Sequence, residues 1–118
     1  MIRGLDHVQV AAPAGCEADA RRFYGALLGL QELEKPEPLR SRGGAWFRCG
    51  AQQLHVGVDD EFLPARKAHP ALAVSAYDEL RTRLLKAGID VSEDAAIPGV
   101  RRCFVHDPWG NRLELVEA

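Results

Sequence analysis

The sequence predicts an α+β protein built from two tandem βαβββ modules. Three observations carry this reading. The order strand, helix, then three strands can be traced twice along the chain, and the charged, proline-containing stretch DDEFLPARKA separates the two tracings as a connector would. Ionisable residues also fall at matching places: His7 in LDHVQV against His69 in KAHPALAV, and His55 in QQLHVGV against Glu114 in NRLELVE. A chain of 118 residues is long enough for one compact domain and short for two independent ones. The expected plan is therefore a single domain over 1–118, with a first module at 1–58, a connector at 59–68 and a second module at 69–118.

The first module opens with a strand from Gly4 to Ala11, in which Val8 and Val10 share one face while Leu5, His7 and Gln9 share the other. Pro13 and Gly15 end it. Between Cys16 and Leu28, Ala20, Phe23, Tyr24, Leu27 and Leu28 recur at helical spacing, and Gly29 stands where a left-handed cap is wanted. Leu30 to Glu34 is a candidate short strand and KPEPLRSRGG a loop. The strands Ala45–Cys49 and Gln52–Val58 follow, joined by a tight turn at Gly50-Ala51.

The second module repeats the order. His69 to Ser75 reads as a strand, and Ser75 with Asp78 has the spacing of a capping box. Leu80, Leu84 and Leu85 mark a helix face that Gly88 ends. Ile89–Val91, Arg101–Val105 and Arg112–Glu117 are the remaining strands, the last two joined by DPWGN, where Gly110 supplies a positive φ and Asp107 a side-chain bond to the backbone.

A strand covered by a helix turns its aliphatic side chains that way and leaves the alternate positions to the opposite face. Leu72 with Val74, Leu113 with Leu115, and Leu54 with Val56 and Val58 take the covered side. His69, Glu114 and His55 then face the other way, as does His7. All four are out of phase with the core, and a one-residue slip in any strand would reverse its candidate. Three imidazoles and a carboxylate in one phase are the donor set of a divalent-metal site. Taken singly, each is also what a hydrogen-bonded or half-exposed strand residue looks like. Trp46 and Arg48 share a face of their strand and are candidate substrate contacts, with Arg48 suited to an anionic group, and Gln9 lies in phase with His7.

Composition narrows the functional classes. A formal charge of -2, with Lys and Arg interspersed among Asp and Glu, gives no reason to expect nucleic acid as a partner. No apolar run has the length of a signal peptide core or a membrane span, so the expected location is cytoplasmic, away from any membrane. Cys16, Cys49 and Cys103 are odd in number and widely spaced, as reduced, partly buried thiols would be.

The motifs LDHVQV, FYGALLGL, KAHPALAV and FVHDPWGNRLELVE together resemble the vicinal oxygen chelate superfamily, which includes glyoxalase I, fosfomycin-resistance proteins, extradiol dioxygenases and bleomycin-binding proteins. The resemblance implies that the paired βαβββ modules form an eight-stranded, open, cup-shaped sheet around a divalent metal. Position by position, it implies His7, His69 and Glu114 as ligands, with Glu114 the catalytic carboxylate. His55 stands where glyoxalase I has a glutamate, a departure that leaves Glu114 as the one matching carboxylate base and argues against glyoxalase I activity itself. A His, His, Glu set is closer to the fosfomycin-resistance and dioxygenase pattern, with His55 as a fourth ligand or a group behind the ligands.

The expectation is thus a metal-dependent enzyme, lyase-, transferase- or dioxygenase-like, acting on a small oxygen-chelating metabolite or antibiotic. Zn, Ni, Fe(II), Co and Mn all suit the donor set. The alternative is a metal-free protein that sequesters a small molecule in the same cup, as bleomycin-binding relatives do. A homodimer is expected in either case, with the site formed within one chain or across two.

Overall fold

Alternating burial along each strand sorts the chain into two sheets. The computed structural model describes residues 1–118 and falls into two units, Met1–Leu63 and Pro64–Ala118. The first contains β1 (His7–Ala12), helix α1, β2 (Glu32–Leu33), a 3₁₀ segment (Glu37–Arg42), β3 (Ala45–Cys49) and β4 (Gln52–Val58). Helix α1 is α-helical over Glu17–Ala20 and π-helical over Arg21–Leu27. The second contains β5 (Ala71–Val74), α2 (Tyr77–Lys86), β6 (Ser92–Glu93), β7 (Arg102–His106) and β8 (Arg112–Glu117).

Each unit holds one four-stranded mixed sheet, in the order β1-β4-β3-β2 and β5-β8-β7-β6. In each, the first strand runs parallel to the last and the other neighbours are antiparallel. Eight strands are present, four to a sheet, and the two units have identical topology.

The core of the first unit lies between α1 and one face of its sheet: Phe23 and Tyr24 from the helix, with Val10, Ala45, Phe47, Leu54 and Val56 from the strands. Phe23 and Tyr24 are neighbours in sequence, yet both are buried, with their rings edge to face at 5.0 Å. The π-helical coil, closed by Leu28 N–H to Phe23 O, has more residues per turn, so adjacent side chains diverge less than in an α-helix and both reach the sheet. In the second unit Leu84 and Tyr77 pack with Cys103, Val105, Leu113 and Leu115. Cys16 and Cys103 are buried, Cys49 is half-buried, and all three are free thiols.

Several sequence boundaries need correction. Leu30 and Ile89 do not start strands, because their N–H groups close the preceding helices onto Tyr24 O and Leu84 O at 3.0 Å each. The expected Leu30–Glu34 strand is therefore only Glu32–Leu33, and the one expected at Ile89–Val91 is absent, the sixth strand being Ser92–Glu93 just beyond it. Strand β5 starts at Ala71, since Pro70 has no N–H to give and the His69 ring turns back onto Lys67 O. Strand β1 starts at His7, leaving Leu5 exposed. The capping box at Ser75 does not form: the N-cap is Ala76, and Asp78 is held by Arg101 at 2.6 Å. KPEPLRSRGG is not simply a loop, for the 3₁₀ segment lies in it.

Two turns fix the strands that carry the candidates. Gly50 (φ 59°) opens the two-residue turn between β3 and β4 and sets the register Trp46↔His55. Between β7 and β8, the buried Asp107 carboxylate accepts from the N–H of Trp109 (3.1 Å) and Asn111 (2.8 Å) and from Asn111 Nδ2 (2.8 Å), while Gly110 takes φ 96°. This sets Phe104 opposite Glu114. No helix is long and apolar enough to cross a membrane.

Candidate functional site

Residues paired across a sheet point to the same face. On the face of the first sheet away from Leu54 and Val56, one row is Gln9, His55 and Trp46, and the next is His7, Gln53 and Arg48. On the corresponding face of the second sheet, Ala71, Glu114 and Phe104 make one row, and Arg112 with His106 the next. Continuing the β5–β8 register backwards by two residues brings His69 level with Arg112. The duplicated positions are then His7 with His69, His55 with Glu114, Trp46 with Phe104, and Gln53 with Arg112.

Within the first unit, His55 is sandwiched. The Trp46 indole stacks on one side of its ring (3.8 Å, 3°) and the His7 imidazole on the other (4.2 Å, 18°). His55 Nε2 meets Gln53 Oε1 at 2.8 Å, and the residue is 4% exposed. Burial, and then the neighbouring His7, hold the His55 pKa below its ordinary value. His7 is more open, with its Nδ1 fixed at 2.8 Å from Asp6 Oδ1 and its Nε2 unassigned to any partner.

Within the second unit, His69 Nδ1 lies 2.8 Å from Lys67 O and its Nε2 lies 3.0 Å from Glu114 Oε1. The other carboxylate oxygen of Glu114 accepts from Arg102 Nη1 at 3.2 Å, and Arg102 also meets Asp94 at 3.2 Å. Burial pushes the Glu114 carboxyl upward, but the hydrogen bonds from His69 and Arg102 outweigh it, so its pKa falls below the ordinary value. The His69 and Phe104 rings meet edge to face, with centres 5.4 Å apart.

These contacts allow a test of whether the residues suit a metal ion. Lys67 O is only an acceptor, so His69 Nδ1 must carry a hydrogen. A neutral imidazole then presents a lone pair from Nε2 toward the carboxylate. Two acceptors 3.0 Å apart need a cation between them, either a second proton on the ring or a metal. Two ligands at right angles, each about 2.1 Å from an ion, lie about 3.0 Å apart. His7 has the same construction, Nδ1 on an acceptor and Nε2 left over, which is how ligating histidines are oriented. His69 with Glu114 in the second unit, and His7 in the first, each have the donor chemistry that such an ion takes. His55 fits less well, with Nε2 satisfied by Gln53 and both ring faces covered.

The structure thus brings His7 to His55 and His69 to Glu114 as two pairs, one in each unit, and no set of three or more His, Cys, Asp or Glu is gathered in metal-holding form. Gln9 and Trp46 lie beside His55, and exposed Arg48 lies level with Gln53. Three residues of this face had escaped the sequence reading: Arg102 and Phe104 on β7, and Arg112 on β8. Strand alternation carries the signal, since Arg112 is in phase with Glu114.

A scan of protein-family profiles and a search of curated proteins gave no match. Solved structures do match. A crystal structure described as a glyoxalase family protein from Bacillus anthracis superposes with a TM-score of 0.96 at 54% identity, covering 99% of this chain and 96% of that one. A lactoylglutathione lyase from Agrobacterium tumefaciens (TM-score 0.74, 22% identity, 98% and 93% covered) shares the fold. So does a fosfomycin resistance protein from Listeria monocytogenes (0.77, 18%, 100% and 95%). With the duplicated topology and this level of identity, the chain belongs to the glyoxalase family of the vicinal oxygen chelate superfamily.

Proposed function

We propose that the protein is a cytoplasmic, metal-dependent enzyme of the lyase, transferase or dioxygenase kind, acting on a small molecule with two adjacent oxygens. The observation that carries this reading is the 3.0 Å approach of His69 Nε2 to Glu114 Oε1 with the far nitrogen of the ring already committed to Lys67 O. His69 and Glu114 are the proposed ligands from the second module, His7 completes the set from the first, and His55 braces His7 by stacking. One domain over 1–118, acting as a homodimer, is part of the proposal.

When bound, Zn, Ni, Fe(II), Co or Mn would supply electrophilic polarisation of the substrate oxygens. The chain's own residues do the rest. Lys67 O and Asp6 fix the tautomers and ring orientations of His69 and His7. Arg102 holds Glu114 ionised through Oε2, so Oε1 remains an anionic oxygen able to bind an ion. No other carboxylate occupies a duplicated ligand position, so Glu114 is the base in this reading.

The rival is the metal-free sequestering protein, favoured by the closed stack of Trp46, His55 and His7, which covers both faces of the His55 ring while Gln53 takes its Nε2. Elemental analysis of untagged protein separates the two, followed by melting curves of stripped protein with each of the five metals. The enzyme reading expects bound metal or a rise in melting temperature with at least one ion, lost in His69→Ala. No metal and no shift with any of them would leave the sequestering reading. The mass of the pure protein in solution tests the dimer.

A further inference from the structure

The arginines of this chain divide by what they touch. Most end on carboxylates. Arg3, Arg42, Arg48 and Arg66 do not, and they are exposed. Arg112 alone is half-buried without a carboxylate partner. Its guanidinium instead lies 3.9 Å from the centre of the Phe104 ring, and no other polar contact holds it.

Partial burial of a charge is unfavourable unless something compensates. Stacking on Phe104 compensates in part and fixes the plane of the guanidinium, but it uses only one flat face. The hydrogen-bonding edge, with its fork of N–H donors, is left free. Arg112 lies on the sheet face that bears Glu114, two residues along β8, with about 7 Å between their Cα atoms. The same Phe104 ring meets His69 edge to face, so one aromatic side chain contacts both a proposed ligand and the free cation. On the other side of Glu114, Arg102 gives its Nη groups to Glu114 and Asp94 while its buried Nε finds no acceptor. A donor without a partner thus stands on each strand beside the carboxylate, Arg102 Nε on β7 and the Arg112 edge on β8.

We propose that Arg112 is an acid-binding residue of this site, and that the substrate carries a carboxylate or phosphonate group beside its chelating oxygens. The proposal rests on the metal-site reading for its setting, since the acid is placed next to the oxygens that the ion would bind. A planar guanidinium whose face is fixed and whose edge is open matches an oxyanion presenting two oxygens. The module duplication sharpens the assignment. At the equivalent place the first module has Gln53, which spends its side chain on His55, whereas Arg112 spends nothing on Glu114.

The test is calorimetric titration of methylphosphonate and of acetate into the full chain at constant ionic strength, with and without Zn²⁺. Wild type, Arg112→Met, Arg112→Lys and Arg66→Met are compared, and metal content is measured on the same samples. Saturable binding of at least one acid to wild type is expected. Arg112→Met should weaken it about tenfold or more, Arg112→Lys by less, and Arg66→Met not at all. The tighter acid tells which group the substrate bears. Equal affinity in wild type and both Arg112 variants, or no acid binding to wild type in either arm, overturns the proposal even if Zn²⁺ is bound. Acid binding that depends on Arg112 in protein that takes up no metal would sustain this proposal while removing the metal reading. If Arg112→Met does not fold, Arg112→Lys decides the matter, because it keeps the charge and loses the fork.

Discussion

Replacing Glu114 with Gln changes one oxygen for an NH₂ and keeps the shape, so its effects isolate charge. In the protein as it stands, the carboxylate accepts from Arg102 at 3.2 Å and faces His69 Nε2 at 3.0 Å. The amide can serve both neighbours: its oxygen accepts from Arg102, and its NH₂ donates to the lone pair on Nε2. What is lost is the charge assistance. The Arg102 bond passes from one between two charged groups to one with a single charged partner, a cost of about 1 kcal/mol at pH 7. For a chain of this length that is about 4 °C in melting temperature. The pH dependence has a definite sign. Glu114 has a lowered pKa in the folded state, so its contribution is complete above the ordinary value of 4.5 and is lost as the pH falls through the lower, folded value. The gap between wild type and variant should therefore close in acid. A metal at a hundredfold excess over its dissociation constant stabilises wild type by about 2.7 kcal/mol, and a hundredfold loss of affinity in the variant would leave about 0.4 kcal/mol. Urea titrations at pH 7 and pH 3.5, with and without Zn²⁺, measure all three quantities. A variant as stable as wild type at pH 7, or one that keeps the full metal increment, would refute the reasoning.

Gly44 sits at φ +83°, and an added Cβ would lie 2.1 Å from Val56 O, so Gly44→Ala should cost about 3 kcal/mol or more, whereas Gly50→Ala, at φ +59° with nothing within 4 Å, should cost about 1 kcal/mol. Equal urea midpoints for the two variants would count against the close strand approach at Gly44. Trp46→Ala uncovers one face of His55 and reduces the burial that lowers its pKa, so the imidazole resonances of His55 should titrate at higher pH than in wild type. Since a depressed histidine loses stability as pH falls below its ordinary value of 6.5, the variant should also lose less in mild acid than wild type does. An unchanged NMR titration midpoint would mean that the indole does not shield the ring.

Much of the fold could be read from the sequence because local patterns agree with the tertiary arrangement. The strands Ala45–Cys49, Gln52–Val58 and Arg112–Glu117 have the bounds expected from alternation and turn residues. Failures fall where a tertiary contact competes for a backbone group. Leu30 and Ile89 have strand-forming side chains, but their N–H groups go to helix ends, and nothing in their own residue type announces that. The π-helical stretch is another such case: its apolar residues fit helical spacing, and only the joint burial of Phe23 and Tyr24 distinguishes a wider coil. At the site, the phase of His55 and Glu114 was legible because alternation has a period of two. The stacking of Trp46 on His55 was not, since it depends on the register set by Gly50 across the hairpin. Arg112 was legible in phase but has no ligand chemistry to draw attention to it.

Duplication explains why the two modules are not chemically equivalent. Both present an imidazole at the entry to the first strand, His7 and His69, and a polar residue in the middle of the last, His55 and Glu114. Beside His55 the first module places Gln53 and Trp46, which satisfy the ring's nitrogen and cover its face; burial then favours the neutral form. Beside Glu114 the second module places Arg102 and His69, which favour the anion, and it diverts Arg112 onto Phe104. The first sheet is thus arranged to hold a neutral, stacked donor, and the second to hold a negative charge with cations around it. Of the two duplicated mid-strand positions, only Glu114 carries a carboxylate, so in the proposed reading the base belongs to the second module. Any discrimination between charged and neutral substrates should likewise reside there, where an unpaired guanidinium is held in place.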